Sequence, residues 1–230
     1  MRVEIWSDVV CPFCYIGKRK FEKALDAFAN KEQVEIVWKS FQLDPATTPS
    51  PGKTVIESLA EKKGWSLEQS HQIHAQVAAM AKEVGLNYQM DKAVVANTFD
   101  AHRLSHLAAT KGLQDKMEER LFAAYFTEGK DIGDKETLAA LAQEVGLNAA
   151  EAAEVLRSEA YSDKVEADIL EAQKVGVRGV PFFVFDNKYA VSGAQPSDVF
   201  AQVLAKVWEE QSTVNLEGTG GVCTPDGVCN

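Results

Sequence analysis

Arg2-Val3-Glu4-Ile5-Trp6-Ser7-Asp8-Val9-Val10-Cys11-Pro12-Phe13-Cys14 opens the chain, and it joins a strand signal to a pair of thiols. Arg2 to Ser7 reads as a strand. The residues after the cysteines read as a helix, with Phe21, Leu25 and Phe28 recurring at helical spacing. Pro12 suits the first helical turn, where its missing N–H would have no partner and its fixed φ favours the helix. Cys11 and Cys14 therefore stand one turn apart on one helix face, close enough for their sulfurs to join. The first sulfur lies beside unpaired backbone N–H groups at the positive end of the helix dipole, which favours a thiolate over a thiol. Cys11 is the expected nucleophile and Cys14 the expected resolving thiol of a dithiol site.

Outward from this stretch, Gln33 to Leu43 alternates, with Val34, Ile36 and Trp38 on one face, and reads as a second strand. Asp44 to Lys53 carries Pro45, Pro49, Pro51 and Gly52 and breaks regular structure. A helical region then runs to about Val175. Four of its helices are expected to stop at Gly85, Gly112, Gly146 and Gly176, each followed by an apolar residue that can fold back on the last turn. Asn97, with Asp100 reaching back, and Asp134 are expected helix caps. Pro181 to Phe185 and Lys188 to Ser192 read as a hairpin turning at Asp186-Asn187. Pro196 and Ser197 introduce a last helix through Trp208, and Glu217 to Asn230 reads as an irregular tail.

The order is strand, helix, strand, helical block, helix, hairpin, helix, the pattern of an α/β sheet domain interrupted by a helical insertion. The expected division is a discontinuous sheet domain at 1–48 and 160–210, an insertion at 49–159 and a tail at 211–230.

Composition narrows the class. The 230 residues are 46% hydrophobic, enough for a sizeable core, and carry a net charge of −10. No Lys or Arg block offers a nucleic acid or an anionic membrane its usual attraction. The N-terminus shows no basic region followed by an apolar segment of signal-peptide length. No window approaches the roughly 18 apolar residues of a membrane span. The expectation is a cytoplasmic protein, where a close cysteine pair is more often catalytic or metal-binding than a structural staple. Cys223 and Cys229, with five residues between them, fit a zinc knuckle poorly, so no metal is expected. The Pro225-Asp226-Gly227 turn can bring that pair together, either as an auxiliary redox pair or as an exposed, dispensable tail. His71/His74 and His102/His106 share helix faces at spacings of three and four and are read as ordinary helical residues, with His102 and Arg103 bordering a cleft. Trp6, Trp38, Phe182, Phe183 and Phe185 are read as core.

Strand-Cys11-Pro12-Phe13-Cys14-helix, Gly176-Val177-Arg178-Gly179-Val180-Pro181 before a hairpin, and the helical block between them resemble the DsbA-type thioredoxin-like family. Ser7-Asp8-Val9-Val10-Cys11-Pro12, Asn97-Thr98 with Ala101-His102-Arg103-Leu104, and Ser192-Gly193-Ala194-Gln195 resemble its FrnE-like branch. The resemblance covers about residues 1–208. It implies a thioredoxin-like fold with a large helical insertion and a thiol–disulfide oxidoreductase acting on protein or small-molecule disulfides. It further implies that Pro181 is a cis proline beside Cys11 and that the Val180 backbone meets the substrate. Val180, Pro181, Pro12 and Phe13 are thus the candidate substrate-binding residues. No organic cofactor is expected beyond the cysteines, with glutathione entering at most as a co-substrate. Disulfide-bearing proteins or peptides, thioredoxin and glutathione are the expected partners. The related 2-hydroxychromene-2-carboxylate isomerases and kappa-class glutathione transferases usually carry serine at the position of Cys11. They also have an acidic-basic pair where this chain has Ala194-Gln195-Pro196. A glutathione-dependent isomerase and a redox-sensing, holdase-like binding protein are the two rival readings.

Overall fold

The computed structural model describes the backbone of residues 1–48 and 53–217, and side chains up to residue 211. Cys223 and Cys229 lie outside the described residues.

Four strands form one sheet in the order β2-β1-β3-β4: β1 Arg2–Ser7, β2 Glu35–Ser40, β3 Phe182–Phe185 and β4 Tyr189–Ser192. β1 pairs parallel with β2 through the intervening helix α1, Pro12–Asp26. β3 pairs antiparallel with both β1 and β4. β2 is shorter than the alternation implies because Lys31–Gln33 form a 3₁₀ turn ahead of it. At the hairpin turn, Asp186 and Asn187 both take positive φ, +48° and +55°, as a two-residue turn matched to strand twist requires.

Strand alternation sorts the side chains onto two faces. Val3, Ile5, Phe183 and Phe185 point to one face, where Phe21 of α1 and Phe200 of α9 (Ser197–Glu217) complete a buried aromatic cluster. Trp6 and Val184 point to the other, against Ala172 of α8 (Ser162–Val175) and Val177. The Trp6 indole N–H donates to the Asp168 carbonyl at 3.0 Å, so its polar edge is satisfied in the interior. Phe28 falls beyond the end of α1 and packs edge-on against Trp208. α9 continues past Trp208 to Glu217, beyond the point where the sequence reading ended it.

Among the described residues six α-helices run between β2 and α8: α2 Val55–Lys63, α3 Leu67–Glu83, α4 Phe99–Ala109, α5 Gln114–Ala123, α6 Lys135–Glu144 and α7 Ala149–Arg157. The four glycine stops all have positive φ, and the N–H of the following residue returns to the carbonyl five back, as Leu86 does to Ala81 and Leu147 to Ala142. Asp134 caps α6 by accepting from Thr137 N–H. The Asn97 side chain accepts from Phe99 N–H, but Asp100 does not reach back. It pairs instead with Arg103, whose charge draws it along the helix. His102 and Arg103 are both buried. Arg103 is taken inward because its guanidinium supplies donors to the carbonyls of Val155, Ser158 and Ala160, closing the turn between α7 and α8.

The block is fixed to α1 by charge. Lys18 is almost wholly buried, yet three carboxylates meet its ammonium: Glu22 on α1, and Asp115 and Glu119 on α5 at 3.4 and 3.1 Å. Burial alone would lower its pKa, but Asp115, Glu22 and Glu119 together raise it. Arg19 and the Tyr15 hydroxyl bind the same Glu119. Below them Tyr15 stacks on Phe122 at 4.9 Å, and Tyr88 on Phe126 at 4.5 Å.

Candidate active site

Cys11 is the N-cap residue of α1, with extended backbone angles, and Cys14 sits in the first turn, its N–H donating to the Cys11 carbonyl at 3.0 Å. Cys11 is 3% and Cys14 1% exposed, while Phe13 between them is 39% exposed and Pro12 half-buried. The two thiols are thus buried while the aromatic residue between them is exposed. Burial pushes the Cys14 thiol well up. The neighbouring Cys11 adds to that, while the Ser7 hydroxyl and the Asp8 backbone pull the other way. Cys14 is held as a thiol.

Across from the cysteines the Val180–Pro181 peptide is cis. The Cys11 thiol donates to the Val180 carbonyl at 3.4 Å. Pro181 is buried, and its carbonyl accepts from Gly193 N–H at 2.8 Å, which folds the segment after β4 over the proline. Cys11, Cys14, Val180 and Pro181 therefore form one constellation, with Pro12 and Phe13 on its rim.

Several contributors were not legible as site residues. Gly17 lies inside α1, where glycine disfavours the helix by about 1 kcal/mol relative to alanine. Its reason is tertiary: a Cβ there would come within 2.9 Å of the Pro181 ring and 3.5 Å of Ala194. Tyr88, between α3 and α4, donates its hydroxyl to the Pro12 carbonyl at 2.7 Å, tying the helical block to the backbone between the cysteines.

Asp8 and His102 form a buried pair behind the active-site loop. Asp8 is 1% and His102 2% exposed, and Asp8 Oδ1 stands 3.5 Å from His102 Nε2. The other Asp8 oxygen accepts from Leu43 N–H at 2.8 Å, and the Asp8 carbonyl accepts from Cys11 N–H at 2.9 Å. One residue thus connects the Cys11 backbone, the segment after β2 and α4. Burial alone would lower the His102 pKa, but Asp8, and behind it the Glu118 carboxylate, raise it above 6.5.

Ser40, His106 and Asp168 mimic a hydrolytic triad without its geometry. Ser40 Oγ and Asp168 Oδ2 both meet His106 at Nε2, each at 3.1 Å, so the ring has no second nitrogen engaged through which to relay a proton. His74 is buried against the Ser70 carbonyl and His71 faces Asp91. Among the described residues no cluster of three metal-ligating side chains occurs.

The model of the DSBA-like thioredoxin domain family matches residues 2–205. The chain belongs to that family, which places it among thiol–disulfide oxidoreductases and their relatives. It is 40% identical to a probable DsbA oxidoreductase from Streptomyces coelicolor, with a TM-score of 0.86 over 100% of this chain and 98% of that one. A 2-hydroxychromene-2-carboxylate isomerase shares the fold at 14% identity and a TM-score of 0.69, over 93% and 99% of the two chains. The cytosolic disulfide reductase DsbM of Pseudomonas aeruginosa shares it at 17% identity and a TM-score of 0.63, over 90% and 98%. Among the described residues no helix is long and apolar enough to cross a membrane.

Two outcomes follow from this geometry. Gly17→Ala is expected to keep the helix content of the protein but lower its thiol–disulfide exchange rate by about tenfold, because Pro181 must move off its seat; an unchanged rate would contradict that packing. The His102 pKa is raised on folding, so its pairing stabilises the fold fully below pH 6.5 and is lost as pH rises through the folded value. Urea midpoints measured from pH 6 to about 9 should fall more steeply for the native protein than for His102→Gln, and parallel curves would show that the pair carries no such linkage.

Proposed function

We propose that this protein is a dithiol–disulfide oxidoreductase acting on protein, peptide or small-molecule disulfides, with Cys11 as attacking and Cys14 as resolving residue. The observation that carries this reading is the meeting of the Cys11 thiol, at the N-terminus of α1, with the Val180–Pro181 segment. A sulfur placed there attacks a substrate disulfide and releases one substrate thiolate, leaving a mixed disulfide on Cys11. Cys14 then attacks the Cys11 sulfur, releases the second thiolate and closes the Cys11–Cys14 disulfide. Burial of Cys14 favours its neutral form between turnovers, which suits a resolving rather than an attacking role.

Val180, Pro181, Pro12 and exposed Phe13 surround the attacking sulfur and supply the backbone and apolar surface that an extended substrate segment needs. Phe13, near two-fifths exposed, fits such contact better than a core role. We assign the chain to the FrnE-like branch on its Ser7-Asp8, Ala101-His102-Arg103-Leu104 and Ser192-Gly193-Ala194-Gln195 segments. We place it in the cytoplasm, with thioredoxin or glutathione as electron partner and Cys223/Cys229 as a pair that exchanges with Cys11/Cys14. GSH bound to DsbM, a protein of the same fold, supports glutathione as a candidate. The chemistry is complete without an organic cofactor. The Cys11 sulfur and the Ala194-Gln195-Pro196 segment both differ from the isomerase pattern and favour redox chemistry over isomerisation.

Cys11→Ser is expected to lower insulin-disulfide reduction by at least about 100-fold, since a hydroxyl cannot form the mixed disulfide. Undiminished activity, or retained turnover of a chromene carboxylate or glutathione conjugate by Cys11→Ser, would overturn this reading.

A further inference from the structure

Beside the active-site loop the surface opens into a cleft of about 440 Å³, within the range of small-molecule sites. Val10 and Pro12, the two neighbours of Cys11, line it, and Leu43, Val55 and Leu59 supply further apolar surface. Neither Val180 nor Pro181 lines it. A substrate segment lying along the proline would leave this space unused.

Its charges are not all paired. Four charged side chains line the cleft: Asp8, Asp44, Lys62 and Lys63. Asp8 has His102 as counter-charge and Asp44 has Lys62 at 2.6 Å. Lys63 makes no ion pair among the described residues, so its ammonium is left free in the cleft lining of a protein whose net charge is −10. The last turn of α2 accounts for a lysine near a helix C-terminus. It does not account for one facing a cleft that begins at the neighbours of the nucleophile.

We propose that this cleft seats the non-reacting half of an acidic, partly apolar, low-molecular-weight disulfide, with Lys63 as the residue that selects its carboxylate. The inference rests on the dithiol reading above and adds to it a substrate class. The substrate R–S–S–R loses one R–S⁻ when Cys11 attacks. The remaining R group, bonded to Cys11 through sulfur, lies in the cleft with its carboxylate at Lys63. Attack by Cys14 releases it as the second R–S⁻. Two electrons pass from the dithiol to the substrate, and the two thiol protons end on two R–SH.

Two aromatic disulfides separate charge from chemistry: 5,5′-dithiobis(2-nitrobenzoate), a dianion, and 4,4′-dithiodipyridine, which is neutral. Stopped-flow reduction of each by the full-length reduced protein gives a half-saturating concentration and a limiting rate. Lys63→Gln should raise the half-saturating concentration for the dianion about fivefold, as expected for one partly exposed ion pair. Its limiting rate, and both parameters for the neutral disulfide, should stay within about twofold. Lys116→Gln, an equal loss of charge on α5, should change neither. If Lys63→Gln affects both reagents alike, or Lys116→Gln matches it, the cleft assignment is wrong while the dithiol reading stands. If the native protein reduces neither reagent, both fall.

Discussion

The antiparallel pairing of β1 with β3 is the constraint on which the site depends. Ile5 lies opposite Phe183 and Trp6 opposite Phe182. The chain therefore leaves the end of β1 and arrives at the start of β3 at the same end of the sheet. Cys11 follows the first and Val180-Pro181 precedes the second, which brings Cys11 and Val180, 169 positions apart in sequence, to a 3.4 Å contact. The aromatic cluster beneath this pairing holds the register, since a slip of one residue would turn Phe183 and Phe185 out of the core. The chemistry at Cys11 thus inherits its geometry from hydrophobic alternation in two short strands.

The helical block contributes restraint from the other side. Tyr88 holds the Pro12 carbonyl, and Asp8 joins the Cys11 backbone to Leu43 and His102, while Lys18 and Arg19 fasten α1 to α5. Buried ion pairs of this kind contribute little net stability, because desolvation offsets their attraction, but their directionality fixes position. A pair of thiols placed on the first turn of a helix needs that, because exchange requires the attacking and leaving sulfurs to be aligned. The same block lines the cleft with Lys63, so one set of helices both steadies the Cys11 loop and shapes the space beside it.

Much of this was readable from local sequence. The strands, the helix starts at Pro12 and Asp134, the glycine stops and the turn at Asp186-Asn187 all rest on backbone preferences of a few adjacent residues. The cysteine pair announced itself by spacing. What stayed hidden depends on distant contacts. Gly17 reads as an unfavourable helical residue until the Pro181 ring is set against it. His102 and Arg103 look like cleft-side polar residues, and only the carboxylate of Asp8 and the carbonyls of the α7–α8 turn explain their burial. Asp100 had two partners open to it, and the nearby guanidinium of Arg103 outcompetes the backbone N–H. Lys63 stands out only after the other charges of its cleft are seen to be paired.

The central claim is that Cys11 is the sulfur that first bonds to substrate and Cys14 the one that releases it. Its most direct test is to incubate reduced Cys14→Ser protein with a peptide disulfide and locate the mixed disulfide by peptide mapping and mass spectrometry. The account predicts a stable adduct on Cys11 that does not accumulate on the native protein, where Cys14 resolves it. An adduct on another cysteine with Cys11 left free, or no adduct at all, would contradict it.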